Sequence, residues 1–310
     1  MSRAIRFHDY GGPEVMKLEE VPRPVPKANE ILVRVLGWGV NPVDWKIREG
    51  LARSRINVPL PLTPGGDISG VVEELGASAT GVSIGQPVFA MIGLVGAYAE
   101  LVAVKPEITA PKPRTLDHVQ AASVPLTALT AWQALFEHAE LKSGQRVLIH
   151  AAAGGVGGFA VQFARHAGAI VIGTASPDNA DYIRSLGATD VIDYRKDSFD
   201  PYRGSFDVVL DLIGGETSLR SLELLRKGGI HVGGVPAPAL MQHVEGSGIR
   251  VKPMQVHPDG SQLREISGLI DAGRIRTTIA AVYPLDQAGA AHEQSKSGHT
   301  RGKIVLKAIP

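Results

Sequence analysis

The sequence predicts an α/β protein in two parts: a β-rich first part in the manner of a small barrel, then a doubly wound parallel sheet followed by a short tail. Three observations predict it. Up to about residue 113 the chain is a series of short Val/Ile/Leu-rich runs separated by glycine and proline. From Leu116 onward apolar runs alternate with segments of helical spacing, the pattern of a parallel sheet covered by helices. A glycine cluster follows the first strand of that second part and opens a helix.

In order, strands are expected over 4–7, 17–21, 30–40, 70–74, 87–91 and 99–104. In the third, Ile31, Val33 and Val35 alternate with Leu32, Arg34 and Leu36, as suits a strand with one face in a core. Prolines over 106–113 close the β region. Asp117 caps a helix to about Ser123, and a second helix over 127–139 carries Leu129, Trp132, Leu135 and Phe136 on one face. Then come strand 147–149, a helix to about Ala167, strand 169–173, helix 179–186, strands 190–192 and 206–212, helix 217–225 and strand 229–232. A helix over 259–272 and a strand over 301–308 form the tail, too small to fold alone and expected to pack on the first part. Trp38, Trp132 and His150 are expected to be structural, and Tyr98 faces either core or pocket.

The totals exclude several function classes. In 310 residues, 32 Lys+Arg stand against 31 Asp+Glu, so the formal charge of +1 gives nucleic acid or an anionic membrane no grip. The chain has no cysteine, hence no disulfide and no thiolate zinc site. Its ten histidines form no His-Glu-x-x-His, and no metal is expected. The most apolar stretch, 147–175, is broken by glycines and by Gln162, Arg165 and His166, so it is not read as a membrane span. Residues 1–7 show no apolar signal core, which makes the cytoplasm the expected setting.

Ala151-Ala152-Ala153-Gly154-Gly155-Val156-Gly157-Gly158 joins a strand to a helix. Gly154 lets backbone approach a pyrophosphate, Gly157 lets the helix pack on the sheet, and the helix start offers N–H groups and a positive dipole end. The usual first glycine is Ala152, so the match to the dinucleotide fingerprint is incomplete. About 20 residues on, an NAD site carries an acid for the ribose 2′-hydroxyl. Thr174 and Ala175 stand there, and Ser176 can donate to a phosphate, which favours NADPH over NADH. Asp178 and Asn179 follow where a base is expected, so basic help falls to Arg184, Arg195 or Lys196, each of which alone reads as part of a solvated face.

Those residues, with Leu186-Gly187-Ala188, Val191-Ile192-Asp193-Tyr194, Asn41-Pro42-Val43-Asp44, the run from Pro125 to Trp132, and Gly302-Lys303-Ile304-Val305-Leu306, stand in one order. They resemble the zinc-independent quinone oxidoreductase (zeta-crystallin-like) branch of the medium-chain dehydrogenase/reductase superfamily, over essentially the whole chain. The resemblance implies a GroES-like catalytic domain, residues 1–121 and 262–310, and an inserted Rossmann domain, 122–261, with cofactor and substrate meeting between them. It also implies a homodimer. Zinc-dependent relatives have Cys in the loop held here by Asn41, and Gly-His-Glu where this chain has Gly65-Gly66-Asp67. Many quinone reductases have Tyr where this chain has Lys46. Some enone reductases have Lys there, which moves the expectation toward enones. The loop from Phe89 to Tyr98 is shorter than usual.

The implied reaction passes hydride from NADPH to a conjugated carbonyl, a quinone or an α,β-unsaturated ketone or aldehyde. Without a metal, donors or a cation must meet the charge growing on the carbonyl oxygen. Lys46 is the candidate donor, with Asn41 orienting substrate or ribose and Asp44 holding Lys46 or the ribose. The plain readings beside these are a surface lysine, a turn residue before Pro42 and a helix N-cap. Thr127 and Thr130 match residues near the nicotinamide, or simply cap and pack their helix. Tyr194 belongs with the cofactor site, and Gly234 and Val235, in Gly233-Gly234-Val235-Pro236, reach the carboxamide or form a loop. An enoyl-thioester reductase and a non-catalytic NADPH-binding sensor or partner protein stay open beside the quinone or enone reductase.

Overall fold

The computed structural model describes residues 1–53, 58–234 and 238–309. The chain divides into two compact units, Met1–Leu129 with His257–Pro310, and Thr130–Val256. The first unit begins β1 (Ser2–Arg6), β2 (Lys17–Val21), β3 (Ile31–Val40), α1 (Pro42–Arg48), β4 (Asp67–Leu75), β5 (Pro87–Met91), β6 (Leu101–Val104), β7 (Thr109–Pro111), α2 (His118–Ala122) and α3 (Pro125–Trp132). The second runs β8 (Arg146–Ile149), α4 (Gly155–His166), β9 (Ile170–Ala175), α5 (Ala180–Leu186), β10 (Asp190–Asp193), β11 (Phe206–Leu210), α6 (Glu216–Leu222), β12 (Leu225–Gly233), α7 (Pro238–Val244) and β13 (Arg250–Pro253). The chain then returns to the first unit with α8 (Gly260–Asp271), β14 (Ile279–Pro284), α9 (Ala288–Lys296) and β15 (Lys303–Lys307).

In the first unit β3 is the hub. It pairs antiparallel with β4 along its length, with β6 through Ile31–Arg34 and with β15 through Gly37–Val40. The sheet order is β14-β15-β3-β4-β5-β7, and the tail enters it beside β3. Ile31, Val33, Val35, Trp38 and Val40 are all buried in one core with Ile68, Val88, Val102 and Leu306, while Arg34 stays exposed. Trp38 is fully buried and donates its indole N–H to the Ala99 carbonyl at 3.2 Å. This pairing fixes the geometry of one sheet edge. β3 ends at Val40 opposite Ile304, and β4 starts at Asp67 opposite Gly39. The end of one strand and the starts of two others therefore meet.

The second unit holds six parallel strands in the order β10-β9-β8-β11-β12-β13. Counted within the unit this is the doubly wound order 3-2-1-4-5-6, whose reversal lies beside its first strand. Val147, Leu148, Ile149, Val208, Val209 and Leu210 are all buried, as strands covered on both faces require. The single helix expected over 127–139 is instead α3 followed by a π-helical turn, Gln133–His138. Trp132 meets Phe136 and Phe163 edge to face, with ring centroids 4.7 and 5.2 Å away.

Candidate active site

In the first unit, the meeting strand ends bring together residues far apart in sequence. Asn41 follows β3 and is the N-cap of α1. Its carboxamide does not cap the helix. Nδ2 donates to Asp67 Oδ2 at 2.9 Å, and Oδ1 accepts from Lys303 Nζ at 2.5 Å. Lys303 also donates to the Val40 carbonyl at 2.7 Å and lies 3.8 Å from Asp67 Oδ2. Asp67 Oδ1 accepts the Leu126 backbone N–H at 2.7 Å, at the start of α3. In the third position of α1, Asp44 Oδ2 accepts the Asn41 backbone N–H at 2.8 Å and the Tyr98 hydroxyl at 2.9 Å. His292 of α9 reaches the same hydroxyl at 3.4 Å through Nε2. Gly65 makes room for the tyrosine: its φ is +88°, and a Cβ there would stand 2.2 Å from the ring.

All six side chains are buried. Burial pushes the Asp44 carboxyl up to about 7, although Asn41, Tyr98 and Lys303 pull the other way. Asp44 Oδ1 is buried without a hydrogen-bond partner among the described residues. Burial also raises Asp67 and lowers Lys303, each shift opposed by the other's charge. Tyr98 is raised well above the phenol range, and burial takes His292 down to about 3. His292 is therefore neutral at pH 7, and donating from Nε2 leaves the Tyr98 hydroxyl free to donate to Asp44.

The helical partners of this cluster are tied down by Arg48. Its fully buried guanidinium donates to the Gly11 carbonyl at 3.1 Å, to Glu49 at 2.7 Å and to Glu293 at 2.9 Å, joining α1 to α9. Lys46, on the same helix, is exposed, with Nζ 5.5 Å from the centre of the Trp45 ring. Lys296 stands 5.6 Å from that ring and donates to Glu49 at 2.6 Å. The structure thus brings Asn41 and Asp44 into one network and leaves Lys46 outside it. Of the two roles expected for Asp44, holding Lys46 or the ribose, the first is not made: Asp44 is buried and meets Tyr98, while Lys46 is exposed. The sequence reading missed Lys303, Asp67 and His292 as partners. The only signals were Gly302-Lys303 and Gly65-Gly66-Asp67, noted there for family resemblance alone.

In the second unit, Gly154 is the N-cap of α4, and no side chain caps that helix. The N–H groups of Gly155, Val156 and Gly157 thus open the helix without intrahelical acceptors, at the end of the sheet's central strand. Gly157 is obligatory: a Cβ would lie 2.3 Å from the Ala151 carbonyl oxygen and 2.7 Å from Ala152 Cα. Ala151 holds φ +49°, and its N–H is caught by Thr174 Oγ1 at 3.2 Å. Thr174 is thereby committed to the loop. It also lies 3.3 Å from His150 Nδ1, whose Nε2 meets Ser221 at 2.9 Å, and burial takes His150 down to about 4. The buried Thr174 and Ala175 turn no side chain outward, so the end of β9 presents Ser176, which accepts from Asn179 Nδ2 at 3.1 Å. Tyr194 is exposed beside it in the sheet order, with the Arg195 guanidinium 5.5 Å from its ring centre. Arg184 pairs with Asp181 at 3.2 Å. Thr127 donates to the Ser123 and Val124 carbonyls at 3.0 and 3.2 Å, which is the packing role. Gly234 is exposed and open, and Val235 lies outside the described residues.

This α4 start fits a dinucleotide pyrophosphate: it is uncapped, built of glycine, and set where the strand order reverses. Zinc does not fit the first unit's cluster. Both ends of the Asn41 carboxamide are taken, Gly66 offers no side chain, and the nearest charge to Asp67 Oδ2 is an ammonium. At 4 Å a divalent ion and an ammonium repel by roughly 8 kcal/mol at an effective dielectric of 20.

Family models describe this chain from both ends. An alcohol dehydrogenase GroES-like domain matches residues 27–114, and a zinc-binding dehydrogenase matches residues 186–306. The mouse protein named quinone oxidoreductase is 33% identical over 99% of this chain and 98% of its own length. The Arabidopsis thaliana NADPH-dependent alkenal/one oxidoreductase is 32% identical over 98% of this chain and 79% of its own. Escherichia coli quinone oxidoreductase, solved in complex with NADPH, superposes with a TM-score of 0.89 at 30% identity, covering 99% of this chain and 100% of that one. The fold and both halves of the chain define a medium-chain dehydrogenase/reductase. Within that superfamily the chain belongs to the quinone oxidoreductase, zeta-crystallin-like, branch.

Proposed function

We propose that the protein is an NADPH-dependent reductase that passes hydride to a conjugated carbonyl, a quinone or an α,β-unsaturated ketone or aldehyde, without zinc. The observation that carries this reading is the open first turn of α4, Gly155-Val156-Gly157, placed at the end of the central strand of a 3-2-1-4-5-6 sheet. The names of the mouse and Arabidopsis relatives support the acceptor class, and the NADPH in the Escherichia coli neighbour supports the cofactor.

NADPH, when bound, supplies the hydride. Gly155, Val156 and Gly157 would hold its pyrophosphate on their backbone N–H groups, and Gly154, whose N–H is bonded to the Ala151 carbonyl, lets it approach the backbone. Ser176, Tyr194 and Arg195 take the 2′-phosphate at the ends of β9 and β10, where no acid faces outward at Thr174 or Ala175. Gly234, exposed and open after β12, is assigned to the nicotinamide carboxamide through its backbone, and Thr127 and Val235 keep the cofactor assignment that the family resemblance gives them. Toward the acceptor, the exposed Lys46 ammonium meets the negative charge that grows on the carbonyl oxygen. Asn41 and Asp44, held in the buried network, keep that loop in one geometry. Conjugation spreads the charge over an enolate or hydroquinone anion, so donors suffice where a simple ketone would call for a Lewis acid. The assembly is a homodimer, to be checked by sedimentation.

Cofactor oxidation screened against quinones, short enones and enoyl thioesters tests the reading. Turnover of quinones or enones with NADPH is expected. Turnover of enoyl thioesters alone moves the substrate class, and tight cofactor binding without any turnover makes the protein a sensor.

A further inference from the structure

We infer that Lys303 is the positioning cation of this site. From the first residue of β15 its ammonium sets the direction of the Asn41 carboxamide and fills the space beside Asp67 that a divalent ion would need. Only the kinetic arm of this inference rests on the reductase reading.

A carboxamide is nearly symmetric in shape, so its direction is decided by what faces each end. Lys303 is a pure donor, and it faces Oδ1 at 2.5 Å. Asp67, as a carboxylate, is a pure acceptor, and it faces Nδ2 at 2.9 Å. Two opposite charges, on the two strands that flank β3, therefore hold Asn41 in one sense. The same ammonium donates to Val40, the last residue of β3, and so fixes the point from which α1 departs. A third partner, Asp67 at 3.8 Å, completes its surroundings in a place that is buried throughout. A lysine buried at such cost, bonded to the residue that replaces a metal-ligand cysteine of the zinc relatives, supplies the fixed positive charge from inside the fold. Without the ammonium Asn41 can flip, and Asp67 is left as a buried charge with no countercharge.

Lys303→Met keeps the stem and deletes the charge. Steady-state kinetics across pH, with a cofactor titration alongside, should show kcat lowered roughly 10-fold or more and the NADPH dissociation constant within about twofold of wild type. The acidic limb of kcat/KM should also move to higher pH. Asp44 is faced by Lys303 of β15, Asp67 of β4, Tyr98, His292 of α9 and the Asn41 N–H, and among these Lys303 is the charge that lowers it. A lysine acting by packing alone, with no charge beside Asp44, would not move that limb. A folded variant with wild-type kcat and an unmoved limb overturns the inference. The second arm needs only wild-type protein to fold: elemental analysis after incubation with zinc chloride and gel filtration. No stoichiometric zinc is expected. One zinc per chain that is lost in Asn41→Ala overturns it. A wild type inactive on every acceptor would remove the reductase reading, and the zinc arm would still judge Lys303.

Discussion

At the scale of single residues, the site separates two lysines by environment. Lys46 is exposed and free to meet a substrate, whereas Lys303 is buried and bonded to Asn41. Lys46→Met should lower turnover of an enone by roughly 10-fold or more and leave NADPH binding nearly unchanged, in the range that follows loss of one oxyanion donor. A quinone should lose less, because its reduced anion is intrinsically more stable. Steady-state rates on both substrates check this, and wild-type turnover would return Lys46 to the solvated face of α1. Arg195 gives a second prediction. Its guanidinium stands over Tyr194 at the end of β10, and charge-assisted hydrogen bonds contribute about 1.5–3 kcal/mol. Arg195→Ala should therefore weaken NADPH by roughly 10-fold or more and leave NADH almost untouched. Dissociation constants for both cofactors at one salt concentration measure it.

At the scale of elements, the glycine turn between β8 and α4 was legible in the sequence because everything it needs is local. An apolar strand, small residues and a helical run stand in one stretch of chain, and Gly157 explains itself once α4 lies on Ala151 and Ala152. Gly157→Ala should abolish tight NADPH binding with the sheet intact, read by cofactor titration with circular dichroism as the control. The buried cluster of the first unit was only half legible. Asn41 and Asp44 lie in one short loop and were singled out together. Lys303 is 262 positions from Asn41, and only the antiparallel pairing of β15 with β3 brings it there. Lys46, in the same short loop, reads in the sequence either as the donor or as a surface lysine of the helix, and its exposure is compatible with both. The π-helical turn after α3 left no periodic signal distinct from a continuous helix. The strand alternation in β3 predicts the buried Ile31, Val33 and Val35 but not Leu32, which lies on the alternate face and is fully buried as well.

At the scale of the whole molecule, the buried titratable groups set how stability follows pH. His150 and His292 have folded-state values of about 4 and 3, below the ordinary imidazole value of about 6.5. Between about pH 6.5 and 4 the unfolded chain binds protons at these positions and the folded chain does not, so stability falls as pH falls through that window. Asp44 acts in the opposite sense. Its value of about 7 lies above the ordinary carboxyl value, so its contribution is full at low pH and is lost as pH rises from about 4 to 7. Urea unfolding at a series of pH values should show His292→Gln flattening the acid side, and Asp44→Asn flattening the opposing trend. The central claim is chemical, that hydride passes from NADPH to a conjugated carbonyl, and isotope transfer tests it most directly. The protein would be incubated with an enone and NADPH carrying deuterium on the transferred position of C4, after separate assay of each C4 epimer, and the product read by mass spectrometry and NMR. The account predicts one deuterium at the β-carbon of a saturated ketone, from one epimer only. A ketone product without deuterium from either epimer, or cofactor oxidised with the enone unchanged, would contradict it.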